Sequence, residues 1–310
     1  LDPCRIFCGN ASRPLAGKIC QHLKAPLGDA EVSRFEDGEV SAKYNENIRG
    51  SDVFIVQATG APAENLIELL VMLDAAKRAS ARRVTAVMPY FGYARQDRKD
   101  QPRSPISAKL VANLITVAGA DRGLTMDLHS AQIQGFFDIP FDHVYAAPVM
   151  IDYFAKKRIP DLVVVAPDVG GVKMARAYAK RLGADLALTD KRRPKPDAVE
   201  IMNIIGDVRG KNAVLFDDVV TTARTLCHAA EAIRENGAKE IYAGVTHGVF
   251  SPGALERIGR SPIRELAITD TVHHDSVAMP ANVTELSVAA LLGEAVQRIH
   301  EERSLSSLFV

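Results

Sequence analysis

The chain has 310 residues, room for about two domains at roughly 150 residues each and for a sizeable core. Its 38 Lys and Arg balance 38 Asp and Glu, which argues against a basic nucleic-acid coat and confines any polyanion site to a local patch. With 47% hydrophobic and 25% charged residues the composition is that of a globular fold, and no apolar run approaches the roughly 18 to 20 residues that span a bilayer, so a soluble, cytoplasmic protein is expected.

Near the start, Cys4, Cys8, Cys20 and His22 can be drawn as a zinc site, but their spacing matches no common ligand pattern and reduced thiols are the simpler reading. The run Asp52-Val53-Phe54-Ile55-Val56-Gln57 predicts a buried strand, and Leu66, Leu69, Leu70 and Leu73 recur at helical spacing over 65–79. The alternation continues with a strand over 84–88 and a helix over 106–118. Further strands follow over 162–166, 213–216 and 241–246, with helices over 171–182 and 222–236. This order predicts an α/β fold of mostly parallel sheets flanked by helices. A domain break is expected between Phe141 and Pro148, giving domains 1–143 and 144–310.

Three apolar runs lead straight into polar residues and then a helix: 124–129 ending in Asp127 and His129, 163–168 ending in Asp168, and 214–218 ending in Asp217 and Asp218. In open parallel sheets ligands bind outside the carboxyl ends of the strands, where these residues fall. The strongest local pattern is Asp217-Asp218-Val219-Val220-Thr221-Thr222-Ala223-Arg224-Thr225. Helix N-terminal amides and threonine hydroxyls can cradle a phosphate, while adjacent carboxylates suit vicinal hydroxyls or a hydrated Mg²⁺. The same residues also read as a capped helix beside solvated aspartates.

His129 and Asp168 each follow an apolar strand and suit a magnesium ion shared with substrate phosphates, or serve only as a structural histidine and a helix cap. In residues 89–99, aromatic side chains followed by Arg95, Arg98 and Lys99 fit base stacking with phosphate neutralisation, or an aromatic hinge beside solvated charge. Lys191-Arg192-Arg193-Pro194-Lys195-Pro196 reads as a lid over a polyphosphate or as a flexible basic loop. Residues 206–212 fall one residue short of a P-loop and lack its hydroxyl.

Taken in this order, the segments 34–39, 89–99, 127–129, 167–171, 190–193 and 304–309 resemble ribose-phosphate diphosphokinase, also called phosphoribosyl pyrophosphate synthetase, nearly end to end. The resemblance implies two phosphoribosyltransferase-like α/β domains, with the C-terminal tail packing on the first. The implied reaction is Mg²⁺-dependent transfer of the β,γ-diphosphoryl group of ATP to the anomeric hydroxyl of ribose 5-phosphate. Carried over by position, Phe35, Asp37, Gly38 and Glu39 bind ATP, reaching a neighbouring subunit's site, together with Arg95 and Gln96. His129 and Asp168 hold the metal. Lys191 and Arg193 lie on the catalytic loop, and Arg193, Asp217, Asp218, Thr221, Thr222, Ala223, Arg224 and Thr225 bind ribose 5-phosphate. The resemblance further implies a homohexamer. Phosphate and ADP are implied as effectors, acting through Arg49, Ser80, Arg103 and the tail. It implies no nucleic-acid or membrane partner.

One departure stands out. The family turn usually reads Asp-Asp-x-x-Asp-Thr-x-Gly-Thr, whereas here Thr221 replaces the third aspartate and Arg224 replaces the glycine. A glycine there permits positive φ or close backbone approach, so Arg224 is expected either to strain the turn, to pair with the 5-phosphate, or to point away. Two alternatives accompany the leading reading: a phosphoribosyltransferase, which has no need of the 35–39 and 191–193 segments, and a non-catalytic synthetase-associated subunit.

Overall fold

The computed structural model describes residues 3–192, 201–274 and 277–309. Contacts gather into two compact units, the first made of Leu1–Ala146, Thr271–His273 and Ser287–Val310, the second of Ala147–Asp270 and His274–Leu286. Residues 144–310 are therefore not one unit, because the last 24 residues of the chain return to the first.

The first unit carries β1 (Cys4–Cys8), α1 (Arg13–Leu23), β2 (Ala30–Arg34), β3 (Val40–Tyr44), β4 (Asp52–Val56), α2 (Glu64–Arg78), β5 (Arg83–Met88), α3 (Ser107–Val117), β6 (Arg122–Met126) and β7 (Phe141–Val144). Its sheet has the order β1-β4-β5-β6-β7 with every pairing parallel. Parallel strands are covered on both faces, which is why β4 is buried at all five positions and, after Asp52, reads as one apolar run. Strands β2 and β3 form a separate antiparallel hairpin. Cys4, Cys8 and Cys20 are free thiols. Among the described residues no cluster of metal-ligating side chains forms, so the zinc drawing has no counterpart there.

The second unit follows with α4 (Ala147–Lys157), β8 (Leu162–Ala166), α5 (Val172–Leu182), β9 (Asp185–Arg192), β10 (Ile201–Ile205), β11 (Asn212–Val220), α6 (Arg224–Glu235), β12 (Ile241–Gly248), α7 (Ala254–Arg260), β13 (Ile263–Thr269) and β14 (Val283–Leu286). Its seven-stranded sheet has the order β10-β9-β8-β11-β12-β13-β14, parallel except for the β9–β10 pair. From β8 the chain winds outward through β9 and β10, then returns so that β11 pairs along the opposite edge of β8. That reversal opens a crevice beyond the carboxyl ends of β8 and β11.

Helix α8 (Ala289–His300) rejoins the first unit against α1, where Gly293 lies so close to His22 that a Cβ would stand 2.8 Å from its ring. Buried Asp52, at the start of β4, takes the Arg83 guanidinium at 2.9 Å and His300 Nδ1 at 2.8 Å, while Arg83 also donates to the Ile299 carbonyl at 2.9 Å. A buried carboxylate is tolerable only with such partners, and here they fasten the last helix to the first sheet.

Candidate functional site

In the first unit, candidate residues collect on the loops after β5 and β6. Beyond Met88 the chain must pass close to Thr59: Gly92 N–H donates to Thr59 Oγ1 at 2.8 Å, and a Cβ on Gly92 would lie 2.3 Å from the Thr59 carbonyl oxygen. Only glycine allows that crossing. The aromatic residues here divide. Phe91 is buried in the core, edge-on to Phe137 at 5.7 Å, and is not available to stack on a base; Tyr93, with φ 65°, is exposed.

Arg95, Asp97, Arg98, Asp100, His129, Ser130 and Gln132 line a cavity of about 320 Å³. Gln132 Nε2 donates to Asp97 Oδ2 at 3.1 Å and ties its two walls together. Gln96 is directed elsewhere. Its Oε1 accepts from the Ser107 hydroxyl and its carbonyl from the Ala108 N–H, so it holds the start of α3. Phe35, Asp37 and Glu39 are also absent from the cavity lining, at the tip of the β2–β3 hairpin. There Gly38 takes φ 93°, Asp37 Oδ1 accepts the Glu39 N–H at 3.0 Å, and Phe35 stands 59% exposed.

His129 is reached through a constrained segment. Asp127 has φ 37°, its Oδ2 accepts the Ala146 N–H at 3.1 Å, and its own N–H donates to the Val144 carbonyl at 3.0 Å. The next N–H, of Leu128, donates to Nε2 of buried His143 at 2.9 Å. Sequence reasoning missed His143 because its neighbours on β7 carry no motif; only the β6–β7 register, with Thr125 opposite His143, brings it there.

In the second unit the β8–β11 crevice receives Asp168, Asp217 and Asp218. Asp168 Oδ1 accepts the Gly171 N–H at 2.9 Å, so this carboxylate does cap the turn into α5. Asp217 Oδ1 accepts the Asp218 N–H at 2.9 Å. Burial first, then the charges of Asp218 and Asp168, push the Asp217 carboxyl well above the ordinary range.

Strand β11 continues through Val220, longer than the predicted 213–216, because Val219 and Val220 still pair with His247 and Gly248 on β12. The turn that follows is braced from outside. The Thr221 carbonyl accepts the Ser251 N–H at 2.9 Å, and the Thr222 carbonyl accepts the Arg257 guanidinium. Neither Ser251 nor Arg257 carries a sequence signal. The positive φ falls on Ala223, at 59°, and not on Arg224, which is the first residue of α6. Arg224 therefore adds no strain; the residue is exposed, and its backbone N–H donates to Thr222 Oγ1 at 3.4 Å at the helix start.

Lys191 lies on β9 opposite Met202 of β10, a regular pairing where the sequence reads a loop. Arg193 and the rest of the predicted lid, 194–196, lie outside the described residues. A second cavity, about 500 Å³, opens at the other end of β8 and β11 among Arg158, Asp161, Asp185 and Lys211; no candidate residue reaches it.

Comparisons with known proteins cover the whole chain. Residues 4–119 match the family described as the N-terminal domain of ribose phosphate pyrophosphokinase, and residues 188–310 match the phosphoribosyl synthetase-associated domain. The ribose-phosphate pyrophosphokinase of Chlorobaculum tepidum is 55% identical over 99% of this chain and 95% of that protein. The protein of the same name from Thermotoga maritima is 54% identical over 98% of each. A crystal structure of phosphoribosylpyrophosphate synthetase from Mycobacterium smegmatis, 38% identical, superposes with a TM-score of 0.90 and covers 97% of this chain and 99% of that one.

Proposed function

The chain belongs to the ribose-phosphate pyrophosphokinase family, and from that membership we propose how its residues divide the work of making phosphoribosyl pyrophosphate. The activity is transfer of the β,γ-diphosphoryl group of ATP to the anomeric hydroxyl of ribose 5-phosphate, with AMP leaving. Neither a phosphoribosyltransferase nor a non-catalytic subunit is favoured, since full-length relatives carry the synthetase's name.

The observation that carries the assignment is the Asp217–Asp218 pair at the strand-order reversal, running directly into the Ala223 turn and α6. In this reading the pair accepts hydrogen bonds from the ribose hydroxyls, which stabilises the charged form of Asp217 that burial first and the neighbouring carboxylates next disfavour. Thr221, Thr222, Ala223, Arg224 and Thr225 receive the 5-phosphate on hydroxyls, amides and the start of α6. In the first unit, Arg95 neutralises the triphosphate from the cavity wall, and the hairpin turn of Phe35, Asp37, Gly38 and Glu39 holds the nucleotide, with Gln96 shaping the loop from behind. Attack on the β-phosphorus pushes charge onto the departing AMP. Lys191 and Arg193 are assigned to that charge, a task of positioning and electrostatics with little covalent chemistry.

A magnesium ion fits the donors present. Oxygen and imidazole donors are the kind a hydrated ion shared with substrate phosphates would use. His129 in the first unit and Asp168 in the second are the residues assigned to metal, and the crowded charges of Asp168, Asp217 and Asp218 within the second unit favour a nearby cation. When bound, the ion supplies charge neutralisation to the transferring diphosphoryl group. Among the described residues no helix is long and apolar enough to cross a membrane. The family likeness, and not that absence, is what supports reading the protein as a cytoplasmic homohexamer answering to phosphate and ADP.

Purified protein given ATP, ribose 5-phosphate and Mg²⁺ is expected to form AMP and phosphoribosyl pyrophosphate in equal amounts by phosphorus NMR. Release of inorganic phosphate alone would overturn the assignment. For the altered turn, Arg224→Gly is expected to raise KM for ribose 5-phosphate roughly three- to tenfold, the scale of one exposed charged contact, while KM for ATP moves less than twofold. Equal shifts in both constants would show that the turn does not take the sugar phosphate.

A further inference from the structure

The turn carrying Phe35, Asp37 and Glu39 belongs to a hairpin that joins neither main sheet, so other contacts must fix its direction. At the base, where Ala30 pairs with Tyr44, the Tyr44 hydroxyl donates to the Met72 carbonyl of α2 at 2.9 Å. Toward the tip, where Arg34 pairs with Val40, the contacts converge on Glu68 of α2.

Glu68 is 2% exposed. Its Oε1 accepts from Asn10 Nδ2 at 3.0 Å, and its Oε2 accepts from the Asn10 N–H and from Gln57 Nε2, each at 3.0 Å. Asn10 Nδ2 also reaches the Val32 carbonyl on β2 at 3.1 Å, and the Arg34 guanidinium stands 3.9 Å from Glu68 Oε1. Gln57 is fully buried and donates as well to the Asn65 carbonyl at 3.1 Å. A carboxylate is costly to bury unless its lone pairs are used, and each of these partners is a donor. One anion thus binds α2, the end of β4, the loop after β1 and the hairpin.

We propose that Glu68 is the positioning residue of the nucleotide hairpin: through Asn10 and Arg34 its carboxylate sets where the Phe35–Glu39 turn is presented, and so governs ATP affinity without touching ATP. The inference rests on the reading that this turn binds the nucleotide. It also explains why an acid occupies a site that packing alone would fill with an apolar side chain: only a full carboxylate accepts from every neighbour at once.

Glu68→Gln keeps the size but turns an NH₂ toward a donor, so the network cannot close. In the full-length enzyme, KM for ATP is expected to rise about tenfold, with KM for ribose 5-phosphate within about twofold and kcat changed less than the ATP constant. Asn10→Ala, at an exposed position, removes the link to Val32 and is expected to shift the same constant about threefold. Phe35→Ala is measured alongside. If Phe35→Ala raises KM for ATP and folded Glu68→Gln does not, the positioning role is overturned; if Phe35→Ala leaves it unchanged, the reading of the turn is overturned instead. Equal rises in both KM values overturn the positioning role as well. Should Glu68→Gln fail to fold, Asn10→Ala decides: the ATP-selective shift supports the role, and no selectivity overturns it.

Discussion

Lys191→Ala will lower kcat about 10²- to 10³-fold, the loss that follows removal of one donor aimed at charge developing in a transition state. KM for ATP and ribose 5-phosphate should each move only a few-fold, because the ammonium is assigned to the departing phosphate and not to ground-state binding. The backbone of Lys191 pairs with that of Met202 across the antiparallel β9–β10 ladder. Steady-state kinetics with the purified variant, checked for folding by circular dichroism, would settle it. A kcat within threefold of the parent would remove Lys191 from the chemistry.

Asp217→Asn should separate catalysis from stability. Activity is expected to fall at least about 10²-fold, since an amide cannot replace a carboxylate toward two hydroxyl donors. The ligand-free protein, however, should become more stable. Burial and the charges of Asp218 and Asp168 raise the Asp217 carboxyl, so the folded form holds that proton more tightly than the unfolded chain. At acid pH, below the ordinary carboxylate range, this favours folding. As pH climbs past the ordinary carboxylate range toward the raised value the advantage is progressively lost, because the unfolded chain releases its proton first. The difference in melting temperature, variant minus parent, should therefore grow with pH and reach a few degrees near pH 7, the size of about 1 kcal/mol in a domain of this scale. Saturating ribose 5-phosphate should reverse the order by stabilising the parent alone. A variant less stable than the parent at neutral pH without ligand would show that Asp217 is not crowded.

What the sequence made legible follows burial. Strands β4, β5, β8 and β12 read directly because both faces are covered and the apolar run is continuous. The hairpin β2–β3 did not, since its residues are half-buried or exposed and alternate without a clear apolar face. Strand β11 was cut short at Phe216 because two aspartates look like a turn, although the ladder to β12 carries on through them. At the candidate site, Asp168, Asp217 and the threonine turn were visible because a strand end announces itself in one dimension. Glu68, His143 and Arg257 were not: each acts on a partner distant in sequence, Glu68 on Asn10 from 58 positions away and Arg257 on Thr222 from 35. Of the outcomes left open for Arg224, strain is removed because the positive φ falls on Ala223; the sequence does not reveal which residue of a turn leaves the helical region.

The clasp between Asp52, Arg83 and His300 orders events on the ribosome. His300 lies 248 positions after Asp52, so this acidic group waits for the intervening residues to be translated before its imidazole arrives. The unit begun first is thus completed last. Meanwhile the second unit, inserted between the two halves of its neighbour, has all its own strands in hand before α8 is made. Newly made protein should pass through a stage in which the later unit is closed and the earlier one still exposes the apolar flank of α1.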